Sequence, residues 1–485
     1  MRSISRRDFL TDSAALAALA GAGLLGAPAA AAEDKRAKKG DANDKLHVAV
    51  VGVHGRGKDH VHGFAGRHNC VVAAICDADE AVIGPAMKAA EKAQGTAPRY
   101  EQDIRKLLDD KTIDIVTIAM PNHWHSLAAI WAMQAGKDVY VEKPVSHNVR
   151  EGRRVVEAAR KYNRICQTGT QSRSTAGMRE AMDFLRAGKL GKVKVARGLC
   201  YKSRPSIGRT TKDQTPPKTV DYDLWIGPAP MKALHRQHLH YDWHWFWDYG
   251  NGDLGNQGIH QMDICRWGLG KDELAKAVIS FGGRFGYKDD GETANTQVCV
   301  FDYGDSELIF EVRGLPTGPL HRTRVGNIFH CEDGYLVCSA EDYGNAAVFT
   351  PDWKKTQTFH KGGDHFGNFV EAVRSRSPQF LNADIHEGHL SSALCHLGNI
   401  SYRLGTLQPF NKKSRAFGDD KEAYETFARV QEHLKDNAVP LESTDYRLGR
   451  RLTLDPKTET FVGDKDAEAL LTRKYRKGFV VPEKV

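Results

Sequence analysis

The stretch GDLGNQGIHQMD, residues 252–263, combines side chains that can do acid–base chemistry at a fixed spacing. His260 follows Asn256 by four residues, so on a helix the two side chains share one face. An imidazole can take up a proton near neutral pH, and a partner that holds the ring selects the nitrogen that does so. A carboxylate partner would also raise the basicity of the ring, whereas the amide of Asn256 carries no charge. We therefore predict a catalytic segment in which His260 is a weaker base than an aspartate-paired histidine.

A glycine turn near residue 50 predicts a nucleotide site. The segment KLHVAVVGVHGRG reads as a Val-rich strand, a turn and the start of a helix, which is the context of a dinucleotide fingerprint. Its spacing departs from the regular G-x-G-x-x-G, because a histidine holds the place of the second glycine. The turn residues that we expect to contact the cofactor are Gly52, His54, Gly55, Arg56 and Gly57.

A second apolar run, CVVAAICDADE, contains Asp77 at its end, 25 residues after Gly52. A carboxylate at the end of the second strand can accept both ribose hydroxyls, and it would repel a 2′-phosphate. The position therefore favours NAD(H) over NADP(H). The alternative is that Asp77 caps the helix that follows, because aspartate is common at helix N-termini.

Strand and helix patterns alternate up to about residue 168, which predicts an α/β domain with a doubly wound parallel sheet. Two of the strands are IDIVTIAMP, 113–121, and DVYVEKP, 138–144. Ligands of such sheets bind beyond the carboxyl ends of the strands. The residues that we expect to contact the cofactor there are Pro121, Asn122, His125, Glu142 and Lys143.

The whole chain has the composition of a globular protein. Its 485 residues, 41% of them hydrophobic and 27% charged, suffice for two cores. The formal net charge of +8 comes from basic residues scattered among 61 acidic ones, without a basic stripe interleaved with aromatics. Nucleic acid is therefore not an expected partner. Nine cysteines without a repeated spacing favour buried thiols over a disulfide framework.

The first residues have the pattern of a twin-arginine (Tat) export signal. SISRRDFL is followed by a mild apolar stretch and a run of small residues, so we predict a signal peptide over 1–32 and a linker over 33–45. The alternative is an amphipathic first helix of the folded domain. Export would make the Tat machinery a partner and the mature protein periplasmic or otherwise extracytoplasmic. No later segment has about 18 uninterrupted apolar residues, so we do not expect the mature chain to span a membrane.

These motifs together resemble the Gfo/Idh/MocA family, which includes glucose–fructose oxidoreductases and inositol dehydrogenases. The similarity covers about 46–405. Besides the glycine turn and the segment around His260, it rests on MPNHWH at 120–125, EKPVS at 142–146 and GGDHFGNFVEAVRSRSP at 362–378. Within the family, DYDLWIGPAP and WFWDYGNGD are most similar to the Tat-exported branch.

The resemblance implies two domains. The first is an NAD(P)-binding Rossmann domain, to which we assign 46–168. The second is an α+β domain with an open, mainly antiparallel sheet, to which we assign 169–440, and one face of that sheet can join copies into a homo-oligomer. Residues 441–485 remain as a C-terminal tail that we expect to pack over the second domain.

The resemblance also implies roles for single residues. Family members use the lysine of the EKP segment and a D-x-x-x-H pair. The corresponding residues here are Lys143 and His260, with Asn256 in place of the aspartate. They imply hydride transfer between a tightly bound nicotinamide cofactor and a secondary hydroxyl of a sugar, polyol or glycoside. The expected cofactor is NAD, with NADP as the less favoured alternative. Such a reaction needs a base for the proton and a positive group for the forming alkoxide. We expect all three residues to be catalytic, and Asn256 and His260 also to contact the substrate.

Three interpretations of the amide stay open. In the first, Lys143 and His260 suffice for oxidation, and Asn256 binds sugar hydroxyls. In the second, the sugar is oxidised only transiently while a glycosidic bond is eliminated, as in NAD-dependent glycosidases. An exported enzyme without an outside nicotinamide pool would suit that redox-neutral cycle. In the third, the protein only binds sugar. A solute-binding module is a different class, and it would lack the glycine turn and the EKP segment.

Aromatic residues cluster just before the catalytic segment, in HYDWHWFWDYGN, 240–251. Trp and Tyr suit the faces and hydroxyls of a sugar, or they pack between the two domains. We expect Trp243, Trp245 and Arg173 to contact the substrate. No carboxylate or cysteine at a fixed spacing completes a metal site with the nearby histidines, so no metal is expected.

Overall fold

The computed structural model describes residues 44–339, 345–411 and 415–485. The predicted signal peptide and all of the predicted linker except its last two residues lie outside these ranges. The helices of the described ranges are α1 (Gly57–Phe64), α2 (Gly84–Gln94), α3 (Ile104–Asp109), α4 (Asn122–Gln134), α5 (Val149–Lys161), α6 (Ala176–Arg186), α7 (Tyr222–Ile226), α8 (Ile259–Gly268), α9 (His365–Ser375), α10 (Ile385–Arg403), α11 (Lys421–Asp436) and α12 (Lys465–Ala469).

The first sheet is parallel and contains β1 (Leu46–Val51), β2 (Cys70–Cys76), β3 (Arg99–Glu101), β4 (Ile115–Ile118), β5 (Asp138–Val141) and β6 (Cys166–Thr168). Its order, β3-β2-β1-β4-β5-β6, is that of a Rossmann sheet, with the change of direction between β1 and β4. Alternate residues of β1 enter two different cores, Val48 and Val50 in one and Ala49 and Val51 in the other. Because both faces are covered, the predicted doubly wound fold is confirmed.

The second sheet is mixed and mainly antiparallel. Its strands are β7 (Val193–Cys200), β8 (Ala277–Gly283), β9 (Thr296–Asp302), β10 (Glu307–Arg313), β11 (Val325–Cys331), β12 (Gly334–Ser339), β13 (Asn345–Phe349), β14 (Lys355–His360), β15 (Thr406–Pro409), β16 (Asp445–Leu448), β17 (Leu452–Asp455) and β18 (Thr460–Phe461). Among the pairings described for this sheet, only β7 with β10 is parallel. The predicted α+β second domain is confirmed.

The central strands of the second sheet are buried on both faces. Val278 and Phe301 pack in a core with α8 and α10, whereas Ile279 and Val300 pack in a core with α11. This burial explains why β8 and β9 read as continuous apolar runs instead of alternating ones. The first of the two cores carries α8, which begins at Ile259 and so fixes the position of His260.

The C-terminal residues do more than cover the second domain, because they add strands to its sheet and side chains to a core of the first domain. Strands β16 and β17 both pair with β8, so residues 445–455 extend the second sheet. Farther on, Phe479 and Val481 belong to a core of the first domain, in contact with its helices. The sequence missed this because the segment is highly charged and its strands are only four residues long, so the alternation of Leu452 and Leu454 is too short to predict a strand.

In the described ranges, no helix combines the length and the apolar composition that a membrane span requires. All nine cysteines lie in those ranges as free thiols, and eight of them are buried.

Candidate active site

A pocket of about 330 Å³, here the first pocket, lies at the carboxyl ends of β1, β4 and β5. The Rossmann strand order places ligands at this edge. Its opposite wall comes from the second domain, from α7 and from residues 240–244. The predicted residues that line it are Gly52, His54, Gly55, Arg56, Asp77, Pro121, Asn122, His125, Glu142, Lys143, Trp243 and Asn256.

Two of the three glycine positions in the turn have no room for a side chain, and the third has room for one. A Cβ on Gly52, whose φ is +82°, would lie 2.7 Å from the Ala119 carbonyl oxygen, and a Cβ on Gly57 would lie 1.8 Å from the Gly52 oxygen. Those two glycines are therefore required for packing of the turn itself. Gly55 has no neighbouring atom within 4 Å of its Cβ position, and it lines the first pocket. The open position is where a ligand can approach the backbone.

Asp77 is held at the end of β2 by the turn. Its carboxylate accepts hydrogen bonds from the Val53 amide at 2.8 Å and the Asp79 amide at 3.1 Å. Burial raises the pKa of Asp77, and these two hydrogen bonds oppose that effect. The side chain lines the first pocket and does not cap a regular helix, because Asp79 caps the turn that follows.

Glu142, the first residue of the EKP segment, is held in place by two basic side chains. It accepts from Arg56 Nε at 2.9 Å, and His60 Nε2 lies 3.2 Å from the same oxygen. Burial alone would raise the pKa of Glu142, but His60 and Arg56 hold it well below its usual value. The carboxylate is therefore charged at neutral pH, and it fixes the backbone that presents Lys143.

The side chain of Lys143, a residue of the first domain, contacts the second domain. Its ammonium group donates to the main-chain oxygen of Asn256 at 2.7 Å. Burial lowers the pKa of Lys143, and the Glu142 carboxylate opposes that effect. Asn256 thus meets the lysine through its carbonyl, a contact that any residue type at this position could make.

His260 is the second residue of α8, which directly follows a π-helical turn at Leu254–Gly258. It is 7% exposed and is not among the residues that line the first pocket. Burial, and then the nearby Lys143 cation, lower the pKa of His260 well below 6.5. The ring is therefore neutral at pH 7 and can accept a proton, although it is a weak base.

Two family models match the chain. One, described as an oxidoreductase family with an NAD-binding Rossmann fold (GFO_IDH_MocA), matches residues 46–170, and the other, described as the C-terminal alpha/beta domain of the oxidoreductase family, matches 187–309. The chain belongs to the Gfo/Idh/MocA oxidoreductase family. Its first domain is accordingly an NAD-binding domain.

Relatives of this Gfo/Idh/MocA chain carry two kinds of name. A "Glycosyl hydrolase family 109 protein 2" from Shewanella sp. (strain ANA-3) is 35% identical over 127 residues, 25% of this chain and 28% of the relative. An "Alpha-N-acetylgalactosaminidase" from Shewanella oneidensis is 32% identical over 125 residues, 25% of this chain and 27% of the relative. An "Inositol 2-dehydrogenase" from Salmonella paratyphi B is 31% identical over 158 residues, 32% of this chain and 46% of the relative. The matched part thus spans less than half of each relative.

Solved structures share the Gfo/Idh/MocA architecture. A levoglucosan dehydrogenase in complex with NADH and levoglucosan has a TM-score of 0.55 at 18% identity, over 73% of this chain and 98% of that one. The WlbA dehydrogenase from Bordetella pertussis, in complex with NADH and UDP-GlcNAcA, has a TM-score of 0.53 at 19% identity, over 73% and 97%. At this identity the similarity shows the fold.

Three features of the Gfo/Idh/MocA site fit a dinucleotide. Gly55 leaves room for a diphosphate to approach the backbone. Asp77 offers carboxylate oxygens at the pocket wall. Asn122 is 4% exposed and lines the pocket, and its amide oxygen has no hydrogen-bond partner within the described part of the chain. Since buried polar atoms are normally paired, a ligand donor suits this oxygen.

His125 holds the pocket floor together without being free to bind. Its Nδ1 lies 2.6 Å from the Pro144 oxygen and its Nε2 lies 2.6 Å from the Met120 oxygen. A neutral imidazole donates to only one of these two carbonyl oxygens, whereas a protonated ring donates to both. Burial lowers the pKa of His125, and the two carbonyls oppose that effect.

Besides His260, three predicted residues are not among those that line the first pocket. Arg173 is buried in ion pairs with Asp263, at 2.8 Å, and Glu387, at 3.0 Å, so its guanidinium is committed to protein carboxylates. Trp245 is 4% exposed and packs under the Arg204 guanidinium. Neither side chain lines the first pocket, so their contact with the substrate stays a prediction. Gly57, the third, serves the turn as described above.

The sequence missed several residues of the far wall. Trp225, His240, Tyr241 and His244 line the pocket beside Trp243. The His240 ring stacks on His54 with centroids 4.4 Å apart, and its Nε2 lies 2.7 Å from Asp79 Oδ2. The density of histidine and tryptophan was visible in the sequence, but only the fold shows which of them face the nucleotide domain.

Proposed function

We propose that the chain is an NAD(P)-dependent oxidoreductase that acts on a secondary hydroxyl of a sugar, polyol or glycoside. The observation that carries the proposal is the Lys143 ammonium group at the pocket that also contains the open glycine position. Bound NAD would supply the hydride acceptor. Asp77, at the end of β2, favours NAD over NADP because a carboxylate repels a 2′-phosphate.

Lys143 and His260 would divide the proton chemistry. Lys143 is held at one end by the Asn256 carbonyl, and its remaining ammonium protons can donate to a substrate oxygen as negative charge develops. A neutral His260 can accept the hydroxyl proton directly or through a water. The amide of Asn256, which lines the pocket, is left to bind a sugar hydroxyl.

A second candidate is redox-neutral cleavage of a glycosidic bond, in which oxidation of the sugar is transient and reversed before product release. The observation that favours it is the name of the first relatives, glycosyl hydrolase family 109, at 35% identity over 127 residues, which is 25% of this chain. The match covers only 28% of that relative, so the activity of the whole relative stays a proposal for this chain.

Export through the Tat route, with a periplasmic or other extracytoplasmic location, is part of the proposal. It is supported by the paired arginines of SISRRDFL and the apolar stretch that follows. Tight retention of NAD would suit a protein that is folded before export. A homo-oligomer is also proposed, because Tyr335 of β12 and Phe349 of β13 are cross-strand neighbours on the second sheet and only partly buried, so a second copy would cover them.

The experiment is to denature purified protein, identify the released nucleotide by mass spectrometry, and incubate native protein with a panel of sugars and glycosides. Stoichiometric NADH at 340 nm would establish a dehydrogenase. Glycoside cleavage with retained cofactor and no net reduction would establish the redox-neutral enzyme. Sugar binding without turnover on any substrate, or the absence of nicotinamide nucleotide, would contradict the proposed activity.

A further inference from the structure

A second pocket, of about 320 Å³, is built from parts of the chain that the first pocket does not use. Its walls are the end of the EKPVSH loop at His147, the segment 247–251, the C-terminal half of α10 and the residues after α12. Exposed Arg403, Thr472 and Lys474 line it, so it is accessible from solvent. Its last wall comes from the C-terminal segment, which the proposed function leaves without a role.

The second pocket is cationic. Arg403, Arg473 and Lys474 line it together with one carboxylate, Asp248, which is paired with Lys232 at 2.6 Å and more distantly with Arg473 at 3.9 Å, so the cations outnumber it. The Arg403 guanidinium lies over the Trp247 ring, 5.1 Å from its centroid, so an aromatic face holds it in place. The field in the pocket therefore favours an anion.

Neutral histidine supplies a further donor. Arg473 Nη1 lies 3.1 Å from His147 Nδ1, and because a guanidinium only donates, Nδ1 is the acceptor. Burial, and then Arg473, lower the pKa of His147 well below its usual value, so the ring is neutral and carries its proton on Nε2. That nitrogen is buried and has no hydrogen-bond partner among the residues described.

Two more buried polar atoms of the lining lack partners. Asn251 is 5% exposed and its amide nitrogen has no acceptor within residues 44–339, 345–411 and 415–485. His396 is 3% exposed and its Nδ1 is likewise without a partner in those ranges, while its Nε2 lies 3.1 Å from Ser146 Oγ. Native proteins pair nearly all such atoms, so their concentration around one cavity indicates a ligand.

We propose that the second pocket binds a small organic anion through an oxyanion group, either a phosphoryl or a carboxylate group. Guanidinium groups suit either of these. The volume exceeds that of a simple ion, and the amide of Asn251 and the Trp247 ring suit a hydroxylated body attached to the anionic group. The proposal does not depend on the reaction at the first pocket.

The test is isothermal titration of the full chain with inorganic phosphate and, separately, with acetate, at constant ionic strength set by sodium chloride. The variants are Arg403→Gln and Lys474→Gln, with Lys477→Gln, an exposed lysine three residues farther on that does not line the pocket, as the matched control. We expect saturable binding in the parent and in the control. Each pocket variant should weaken it about tenfold or more, because a charge-assisted hydrogen bond is lost.

The stronger of the two probes identifies the group that the pocket recognises. A lack of binding for both probes would overturn the proposal, and so would equal affinities in parent and pocket variants, since binding at the glycine turn would survive those substitutions. Lys474 is exposed, so its variant tests the pocket even if Arg403→Gln impairs folding. NADH affinity, measured on the same samples, reports on the first pocket independently.

Discussion

At the scale of single residues, the lysine of the EKP segment carries the most chemistry. Lys143 is placed by a charged Glu142 beneath it and by the Asn256 carbonyl opposite. The Glu142 carboxylate accepts from the Lys143 main-chain amide at 3.3 Å, whereas the ammonium group itself donates to the Asn256 carbonyl. In the proposed reaction, the held ammonium group would stabilise the forming alkoxide.

Replacing Lys143 with methionine should therefore abolish most of the turnover and weaken nucleotide binding far less. We expect kcat to fall by about 10²–10⁴, the usual effect of losing one acid–base or electrostatic group. Steady-state kinetics and an NADH titration measure the two quantities. Lys161→Met, at an exposed position, is the control. A Lys143→Met enzyme with parental kcat would show that the lysine has no part in the reaction.

The missing aspartate should be visible in the pH profile. Asn256→Asp would add a carboxylate near Lys143 and His260, whose pKa values burial now lowers. An opposite charge raises the pKa of both groups, so His260 stays protonated to a higher pH and the acid limb of the rate profile moves up by about one unit. The alkaline limb moves in the same direction.

Asn256→Ala is the matched control for that experiment, because it keeps the main-chain carbonyl that accepts from Lys143. We expect its pH profile to match that of the parent, and its KM to report the contact of the amide with substrate. If the aspartate variant also keeps the parental profile, the two groups do not titrate in the reaction.

At the scale of elements, the turn between β1 and α1 separates packing from binding within six residues. Gly57 is required sterically, whereas Gly55 opens toward the first pocket. Gly55→Val should leave the midpoint of thermal unfolding almost unchanged and weaken NADH binding about tenfold, because the side chain occupies the diphosphate approach. Gly57→Ala should instead destabilise the fold by about 1–3 kcal/mol through overpacking.

Differential scanning fluorimetry and fluorescence titration with NADH measure these two effects on the same protein. The prediction fails if Gly55→Val binds NADH like the parent, since the open position would then lie outside the ligand path. A similar loss of stability in both variants would show that Gly55 also serves packing.

The first domain could be predicted from the sequence because its signals are local. Val-rich strands, the glycine turn and Asp77 follow one another within a short stretch, and their order alone fixes which edge binds ligands. The second domain could be predicted only as a class, since its strands pair across long separations. Arg173 shows the limit for the site: its partners Asp263 and Glu387 are distant in sequence, and nothing local indicates that they neutralise it.

Asn256 illustrates a different limit. Its spacing predicts that the side chain supports His260, and the structure adds a contact that spacing does not predict, between the main-chain carbonyl and the Lys143 ammonium group. That contact arises from a π-helical turn, Leu254–Gly258, and no residue type in the segment specifies such a turn. The residue type at position 256 is therefore not enough to predict how this position takes part in the mechanism.

At the scale of the whole molecule, the C-terminal segment packs against the nucleotide-binding domain. After adding strands to the second sheet, the C-terminal segment returns to the first domain, where Phe479 meets Trp124 edge to face with ring centroids 5.6 Å apart. Trp124 is 1% exposed and lines the first pocket. The last residues of the chain thus support the wall of the nucleotide site.

This contact predicts that a substitution near the C-terminus weakens NADH binding, although the nucleotide domain lies in the N-terminal third of the chain. Phe479 is 4% exposed, so Phe479→Ala should cost about 3–5 kcal/mol through the cavity it leaves, and it should loosen NADH binding as Trp124 loses its support. Its neighbour Val480 is 52% exposed, and Val480→Ala should change stability by less than about 0.5 kcal/mol. Urea unfolding midpoints and NADH titrations on the two variants give the comparison. Equal midpoints would mean that the C-terminal segment lies on the first domain without stabilising it, and a large loss of stability with unchanged NADH affinity would confine the role of Phe479 to the fold.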